Sequence, residues 1–527
     1  MTSLSSQLNE HRRQMATFDM RTAFAAEPNR ASQFTLNACG LLLDYSKNLI
    51  NEETIRLLLQ LAKERKLIER LSSQFDGAKV NQSEDRPALH TALRAQQSRS
   101  PAANLVMEQA KANRKRIYDL RQRLVRKELS GFTNQPIDTV VNIGIGGSHL
   151  GPLTLCDSLP AAPDAPECSF LSSLSPDALS TIRQRHNLAT TIFVISSKSF
   201  TTQETLMNAN QLLAEYEKQA PRTKAIEHFY AVTAEPSKAR DFGIPDDQIF
   251  SFDQSIGGRF SLWSSIALPI IMHIGRQSFE QLLKGAYDMD EHSLTSKPSM
   301  PLLLALLAYW YANYWQTQTH CINVYEHSLR RLPEYLQQLF MESNGKKDGI
   351  NEILWGGVGT EIQHSYMQLC HQGKHLIPMD IICGARPTQA KTRSPTEQEA
   401  HRILIANALA QAQALLQGRN EDEAQAEIRK KGPSSARVAD LIMPGNRPSN
   451  FLLYDELNPY SLGALLSLYE HRTALLGYLA QSNPFDQWGV ELGKKLSQRI
   501  HAKMTTSQTS QFDSSTNRLI EQIRQRN

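Results

Sequence analysis

Short β-branched runs that end on glycine, serine or threonine recur from residue 139 onward, and they constrain the fold more than any other feature. "TVVNIGIGGS", "TTIFVISSKS" and "HFYAVTA" each stop at such residues and are separated by stretches of helical texture. Apolar strands alternating with helices belong to a parallel α/β sheet, because a parallel neighbour is reached only through a crossover. The texture pauses at "LLLALLAYWYANYW", residues 302–315, and then repeats in "CINVYEH", "EILWGGVGTE" and "LIPMDIIC", so a second α/β unit is expected. The apolar run falls short of the roughly 20 residues of a bilayer span and includes Asn313, which marks it as a buried helix. Residues 1–120 read as helical, with Leu57, Leu61, Ile68 and Leu71 near a 3.6-residue period and no clear strand.

Composition narrows the function classes. A chain of 527 residues exceeds one ordinary core and suggests two or more domains. Its 57 basic and 53 acidic residues give a net charge of +4, without a basic run that would mark a nucleic-acid surface. Six cysteines, at 39, 156, 168, 321, 370 and 383, form no CxxC pair, so neither a disulfide framework nor a zinc ribbon is expected. "MTSLSSQLNEHRRQ" lacks the apolar core of a secretory signal, and a cytoplasmic location is expected.

Three strand-to-helix joints carry candidate chemistry. In "NIGIGGSHLG" the third glycine of a dinucleotide fingerprint is replaced by His149, and no lysine with a following hydroxyl completes a Walker loop. What remains around Gly147 and Ser148 is either a plain turn or a weak anion site. "VISSKSFTTQET" places Ser197, Lys198, Ser199, Thr201 and Thr202 after a strand, with Thr201 and Glu204 at capping-box spacing. The cluster suits a phosphomonoester, and equally a loop that only caps its helix. In "GTEIQHSYMQLCHQG", Thr360 and Gln363 have the same capping spacing, which predicts His364 in a first helical turn. A lone histidine there is either a proton-transfer group or an ordinary surface residue. Cys370, His371 and His375 lack the carboxylate and the spacing of a metal site.

Two helices add further candidates. In "EYLQQLFMESNGK" an apolar stripe of Leu332, Leu336, Leu339 and Phe340 leaves Glu342 on its flank, with Gly345 as an expected left-handed terminator. Glu342 is thus either a rim carboxylate aimed into a cleft or a solvated one. "PFDQWGVELGKKL" reads as a helix with Phe485, Trp488, Leu492, Leu496 and Ile500 on one side and Gln487 and Lys494 sharing another face. Arg259, in "GGRFSLWS", can stabilise an anion or pair with a carboxylate.

Taken together, "NIGIGGSHLGP", "SSKSFTTQET", "GGRFSLWSS", "QQLFMESNGK", "GTEIQHSYMQLCHQG", "LGALLSLYEH" and "FDQWGVELGKKL" resemble the signature blocks of the glucose-6-phosphate isomerase family, in that family's order. "LLLDYSKNLINEET", "RPALHTALR" and "DSSTNRLI" extend the similarity over nearly the whole chain. The resemblance implies two sugar-isomerase-type αβα sandwiches with parallel sheets. It divides the chain into an N-terminal helical part (1–120), a small domain (121–288), a large domain (289–504) and a tail with a short helix (505–527). It also implies a homodimer with shared active sites, no cofactor, no metal, no nucleic acid and no membrane. The implied reaction interconverts glucose 6-phosphate and fructose 6-phosphate. By similarity Ser197, Lys198, Ser199 and Thr202 hold the phosphate, and Gly147 and Ser148 lie beside the sugar. His364 from the partner subunit and Lys494 assist ring opening, and Glu342 carries the proton between C2 and C1. Arg259 stabilises the enediolate, while Gln338 and Gln487 orient the open chain.

The chain departs from the family at Ser199, usually threonine, at Glu361, usually asparagine, and at Arg518, usually glycine. Glu361 sets a negative charge beside His364 in the chain. Two rival readings are a non-catalytic sugar-phosphate sensor on the same fold, which would not need Glu342, and a metal-dependent phosphosugar isomerase, which a chelator would inhibit.

Overall fold

A computed structural model describes residues 3–431, 437–505 and 512–526. Residues 506–511, most of the Ser/Thr/Gln-rich stretch of the tail, lie outside them. The chain forms two compact units, Met1–Pro484 and Phe485–Asn527.

In the first unit, two sheets account for the described strands. β1 (Thr35–Ala38) and β2 (Leu41–Asp44) form a hairpin. They lie in a region whose sequence reads as purely helical. The turn explains the discrepancy: Cys39 and Gly40 both have positive φ, 51° and 74°, so the turn is of the primed kind that joins twisted strands, without its usual Asn-Gly signature. β3 (Thr139–Ile143), β4 (Glu167–Leu171), β5 (Thr191–Ser196), β6 (Phe229–Thr233) and β7 (Ile249–Ser251) form the smaller sheet, in the order β4-β3-β5-β6-β7, all parallel. β8 (Thr319–Tyr325), β9 (Ile353–Val358), β10 (Met379–Gly384) and β11 (Ser449–Tyr454) complete the larger one, in the order β1-β2-β11-β10-β8-β9. β8 to β11 are mutually parallel where they pair, but the β1–β2 hairpin joins β11 antiparallel, so the larger sheet is mixed rather than wholly parallel.

The smaller sheet runs from β3 to β4 on one side and returns to β5 on the other. Its direction of travel therefore reverses between β3 and β5, and the loops after those two strands flank the crevice where open α/β sheets bind ligands. These loops are 144–149 and 197–202.

The N-terminal periodic stretch is two helices, Glu52–Glu64 and Leu67–Phe75, parted at Lys66 with φ 51°. Asn51 caps the first through a capping box with Thr54. The apolar run forms the helix Met300–Tyr314, buried from Met300 to Tyr311, and among the described residues no helix is long and apolar enough to cross a membrane.

Deepest of all is the helix Pro459–Ala480, begun by a capping box between Asn458 and Ser461 and buried at every position from Ser461 to Leu479. It packs against Leu268–Thr295 closely enough that a Cβ on Gly463 would stand 2.0 Å from the Leu282 carbonyl oxygen, and one on Gly285 1.9 Å from that of Tyr460. Only glycine lets the backbones meet there.

A helix buried on all sides still carries "YEHR", and each of its first three side chains reaches a buried partner. Tyr469 donates to Asp380 Oδ2 at 2.9 Å. Glu470 receives Arg94 Nη1 at 2.6 Å and Trp263 Nε1 at 2.8 Å. His471 Nε2 lies 2.6 Å from Asp290 Oδ1, and Arg94 grips Asp290 with Nε at 2.8 Å and Nη2 at 2.7 Å. Burial opposes ionisation of Asp290, but Arg94 and His471 outweigh it and hold the carboxyl down at about 2.

Replacing Arg94 by methionine is expected to cost about 3–5 kcal/mol, because two buried carboxylates lose their counter-charge; urea denaturation should show a lower midpoint at unchanged slope. Because the Asp290 carboxyl is more acidic folded than unfolded, its contribution to stability is complete above the ordinary carboxylate range. It should fade as pH falls toward 2, and urea midpoints across that acid window would follow it.

Candidate active site

Three backbone segments are forced together beside the β3 loop. Gly146–Ser148 forms a 3-10 turn that leads into the helix Leu150–Ser158. A Cβ on Gly147 would come within 2.1 Å of the Gly258 carbonyl oxygen, and one on Gly146 within 3.0 Å of Gln338 Nε2. Glycine therefore lets the β3 turn rest on both the 258–263 turn, which carries Arg259, and the helix Leu332–Asn344, which carries Gln338 and Glu342.

That helix buries Leu332, Leu336, Leu339 and Phe340, the stripe expected from sequence, and leaves the Glu342 side chain 31% exposed on its flank. Gly345 ends it with φ −74° rather than the left-handed conformation expected. Asn344 instead ties the helix end to the Thr473 carbonyl at 3.2 Å.

Arg259 is 2% exposed and held on three sides. Nε donates to Ser343 Oγ at 2.6 Å, Nη2 to the Pro484 carbonyl at 2.6 Å, and Nη1 to Glu342 Oε2 at 3.4 Å. Gln338 Nε2, one turn earlier, donates to the same carboxylate oxygen at 3.3 Å. A buried guanidinium fixed by neutral partners and facing a partly exposed carboxylate can stabilise an oxyanion forming next to a base. Ser343 and the Pro484 carbonyl escape a reading of the sequence, since their role depends on where Arg259 folds.

The β5 loop lies next door. Asn142 in β3 donates to the Ser148 carbonyl at 3.0 Å and accepts from Ser196 Oγ at 2.7 Å, which locks the two strand ends in register. Phe200, buried with φ 49°, turns the loop back over the core. The helix that follows starts at Gln203, and Thr202 precedes it without a side-chain cap, so the expected Thr201–Glu204 capping box does not form. The hydroxyls pair with each other instead: Ser197 with Thr202 at 3.0 Å, and Ser199 with Thr201 at 2.8 Å. Lys198 Nζ donates to the Gln254 carbonyl at 2.8 Å. Burial, followed by the neighbouring Arg86, lowers the Lys198 ammonium to about 8.

His364 is placed differently from its expectation. It ends a 3-10 turn, Glu361–His364, and is exposed, while the α-helix begins only at Met367. Thr360, with φ 58°, makes no cap hydrogen bond, so the predicted capping box is absent here too. The turn follows β9, the edge strand of the larger sheet. His371, the other histidine of this block, bonds Gln411 Oε1 at 2.8 Å.

Gln487 and Lys494 belong to the second unit. The expected continuous helix is a 3-10 turn, Trp488–Val490, followed by Glu491–Thr505. Gln487 precedes both and has a non-helical backbone, with φ −152° and ψ 48°, so it shares no helical face with Lys494. Lys494 Nζ pairs with Glu491 at 2.8 Å. Asp513 caps the final helix, Ser514–Arg526, through Thr516 N at 3.0 Å.

The sequence model of phosphoglucose isomerase matches residues 44–520. The chain belongs to the phosphoglucose isomerase family. Relatives bear this out along its length. A glucose-6-phosphate isomerase of Ectopseudomonas mendocina (strain ymp) is 43% identical over 98% of this chain and 96% of its own. One of Pseudomonas fluorescens (strain Pf0-1) is 44% identical with the same coverage. Among solved structures, a glucose-6-phosphate isomerase from Chlamydia trachomatis superposes with a TM-score of 0.85 at 28% identity, covering 100% of this chain and 99% of that one. The family's two-sheet α/β architecture is thus the architecture of this chain.

Because a methyl group at Gly147 would collide with backbone rather than with a pliable side chain, Gly147→Ala is expected to shift the 258–259 segment and cost about 1–3 kcal/mol. Thermal unfolding and a crystal structure of the variant would check this, the latter by a displaced Arg259.

Proposed function

We infer that the protein interconverts glucose 6-phosphate and fructose 6-phosphate by transferring a proton between C2 and C1 of the opened sugar. The observation that carries the reading is the buried Arg259 guanidinium facing the partly exposed Glu342 carboxylate, beside a glycine turn packed on the segments that carry both.

A carbon acid next to a carbonyl gives up its proton only if the developing oxyanion is stabilised as the bond to hydrogen breaks. Glu342 takes the C2 proton of the open aldose, the C1–C2 bond becomes double, and the carbonyl oxygen gains the charge. Arg259, immobilised by Ser343 and the Pro484 carbonyl, needs no reorganisation to meet that charge. The C2 hydroxyl proton passes to the C1 oxyanion, which leaves the charge on the C2 oxygen, and Glu342 then returns its proton to C1 as the C2–O bond becomes the ketone. One base serves both carbons because they share a face of the enediolate.

Phosphate capture falls to Ser197, Lys198, Ser199 and Thr202 at the β5 loop, with Gly147 and Ser148 beside the sugar. Binding energy from a group remote from the reacting carbons fixes the chain for proton transfer. Gln338, already bonded to Glu342, orients the open chain together with Gln487. His364 and Lys494 assist ring opening.

The protein acts as a cytoplasmic homodimer in which His364 of the partner subunit completes each site. The exposure of His364 supports this, as do Ile353 on the edge strand β9 and Leu369 in the following helix, 60% and 46% exposed.

Glu342→Gln is expected to lower kcat in a coupled assay on either hexose phosphate by about a thousandfold or more, while substrate still binds. Exchange of the C2 proton with deuterated water, followed by NMR, should vanish in the same variant. Turnover near wild type would remove Glu342 from the base role.

A further inference from the structure

Two cations from distant parts of the chain converge on one neutral atom beside the β5 loop. Lys198 Nζ donates to the Gln254 carbonyl oxygen at 2.8 Å, and Arg86 Nη1 points to that same oxygen at 3.4 Å. A carbonyl accepts two hydrogen bonds, but the Arg86 contact is long at 3.4 Å and a second cation beside the first is electrostatically unfavourable, so the hydrogen bond alone does not account for Arg86.

The local fold aims it. Asn81 and Arg86 exchange backbone hydrogen bonds at 3.1 and 3.2 Å, closing a tight turn. Glu84 within that turn takes Arg86 Nε at 2.9 Å and Nη2 at 2.7 Å, and Asn81 Nδ2 braces Glu84 at 2.6 Å. Two guanidinium nitrogens are thereby anchored, and the third is left directed at the Gln254 carbonyl. The Arg86–Glu84 pair is 31% and 21% exposed, so as a mere surface ion pair it would contribute little.

The remaining charged groups around Lys198 are few. Asp253 precedes Gln254, and Glu235 accepts Gln254 Nε2 at 2.5 Å. From the far side Lys238 Nζ donates to the Ser199 carbonyl at 3.1 Å. Arg86, Lys198 and Lys238 thus set three cations around a loop whose hydroxyls, among the described residues, bond each other.

We propose that Arg86 is a positioning residue of the phosphate subsite, holding Lys198 over the β5 loop through the shared Gln254 carbonyl and adding a second fixed positive charge to the field that captures a phosphate dianion. The proposal rests on the reading of Lys198 as a phosphate ligand. Arg86 acts on Lys198 in two opposed ways. It strengthens the field felt by the anion, and it makes the Lys198 proton easier to lose. Phosphate affinity should therefore fall as pH rises through about 8, where Lys198 becomes neutral. Removing Arg86 should weaken binding near neutrality yet move that decline to higher pH. General loosening of the loop would also expose Lys198 and move the decline upward, so the two are separated by Arg86→Lys, which keeps a cation in place and should leave both the affinity and the decline near wild type.

The test is calorimetric titration of the full-length protein with inorganic phosphate from pH 6.5 to 9.5, beside KM and kcat for fructose 6-phosphate. For Arg86→Ala we expect Kd and KM near neutrality to rise about tenfold, kcat to stay within about twofold, and the alkaline decline to move upward. Arg86→Lys should keep most of the affinity, which guards against a folding defect in the alanine variant. Glu84→Gln should move the decline downward. An unchanged Kd in Arg86→Ala, or a weaker one whose decline stays where it was, overturns the proposal. So does a Lys198→Ala variant that binds phosphate like wild type. If wild type binds phosphate but turns over no sugar, the isomerase reading fails while the phosphate data still decide the role of Arg86.

Discussion

Arg94, wholly buried between Asp290 and Glu470, is the interaction on which the rest of the first unit depends. A buried ion pair gains little over well-packed apolar side chains, but leaving one of its members alone is severely unfavourable. Its effect is therefore to exclude alternatives, because the 90–93 turn, the helix Leu268–Thr295 and the helix Pro459–Ala480 must meet in one arrangement or leave a bare charge in the core. The second oxygen of Glu470 extends the constraint by taking the Trp263 N–H. Trp263 ends the same 3-10 turn that carries Arg259, so the core network also sets where the Arg259 side chain starts. His90 stacks on Phe260 of that turn with ring centroids 4.6 Å apart. Burial, reinforced by Arg94 and His471, keeps its imidazole neutral, which spares the network a further charge.

A second polar column ties the larger sheet to the same helix. Asp380 in β10 accepts from Tyr469 and from Asn450 Nδ2 at 2.7 Å, and faces His320 Nε2 at 3.1 Å. Asn450 in turn receives Asn48 at 2.9 Å, and Asn48 accepts from Tyr311 at 2.9 Å. Burial works against the Asp380 charge, but His320 and Arg472 prevail and hold the carboxyl well below the usual range. Tyr469 and Glu470 are adjacent residues on one helix, yet the first reaches β10 of the larger sheet and the second reaches Arg94 and the Trp263 turn. Helical geometry turns sequence neighbours through about 100°, so one fully buried helix can address several layers at once.

What the sequence disclosed follows the range of the interactions involved. The strands β3, β5 and β6 end on residues that stop a strand, and the stripe under Glu342 repeats at helical spacing, so both are local signals. The hairpin β1–β2 is held by pairing with β11, more than 400 residues away, and its Cys39-Gly40 turn lacks the common signature. The two capping boxes failed for a related reason. Spacing allows a hydroxyl at Thr201 or Thr360 to cap, but Ser199 is a nearer partner for the first, and the left-handed backbone of the second turns it away from the helix amides. Resemblance singled out Glu342, Arg259 and Gln338 as one site, and the fold brings these three together. His364 ends an exposed turn after the edge strand β9, and Lys494 belongs to the other unit.

That division has a physical logic in the proposed reaction. Proton transfer at carbon tolerates little misplacement, because the base must sit within contact of a weak acid while the oxyanion is met at once. The pair that performs it is accordingly fixed by a buried guanidinium, a helix end tied to the Pro459–Ala480 helix, and glycines that admit no side chain. Ring opening moves protons between oxygen atoms, which exchange readily, and a group that arrives with a second subunit can serve it. An exposed imidazole ending a short 3-10 turn lacks the supporting contacts that hold a catalytic group in place. In the proposed dimer, docking against another copy supplies them. In the proposed reaction, the groups fixed within one chain, Glu342 and Arg259, take the step whose geometry is exacting, and the exposed imidazole is assigned the more tolerant one.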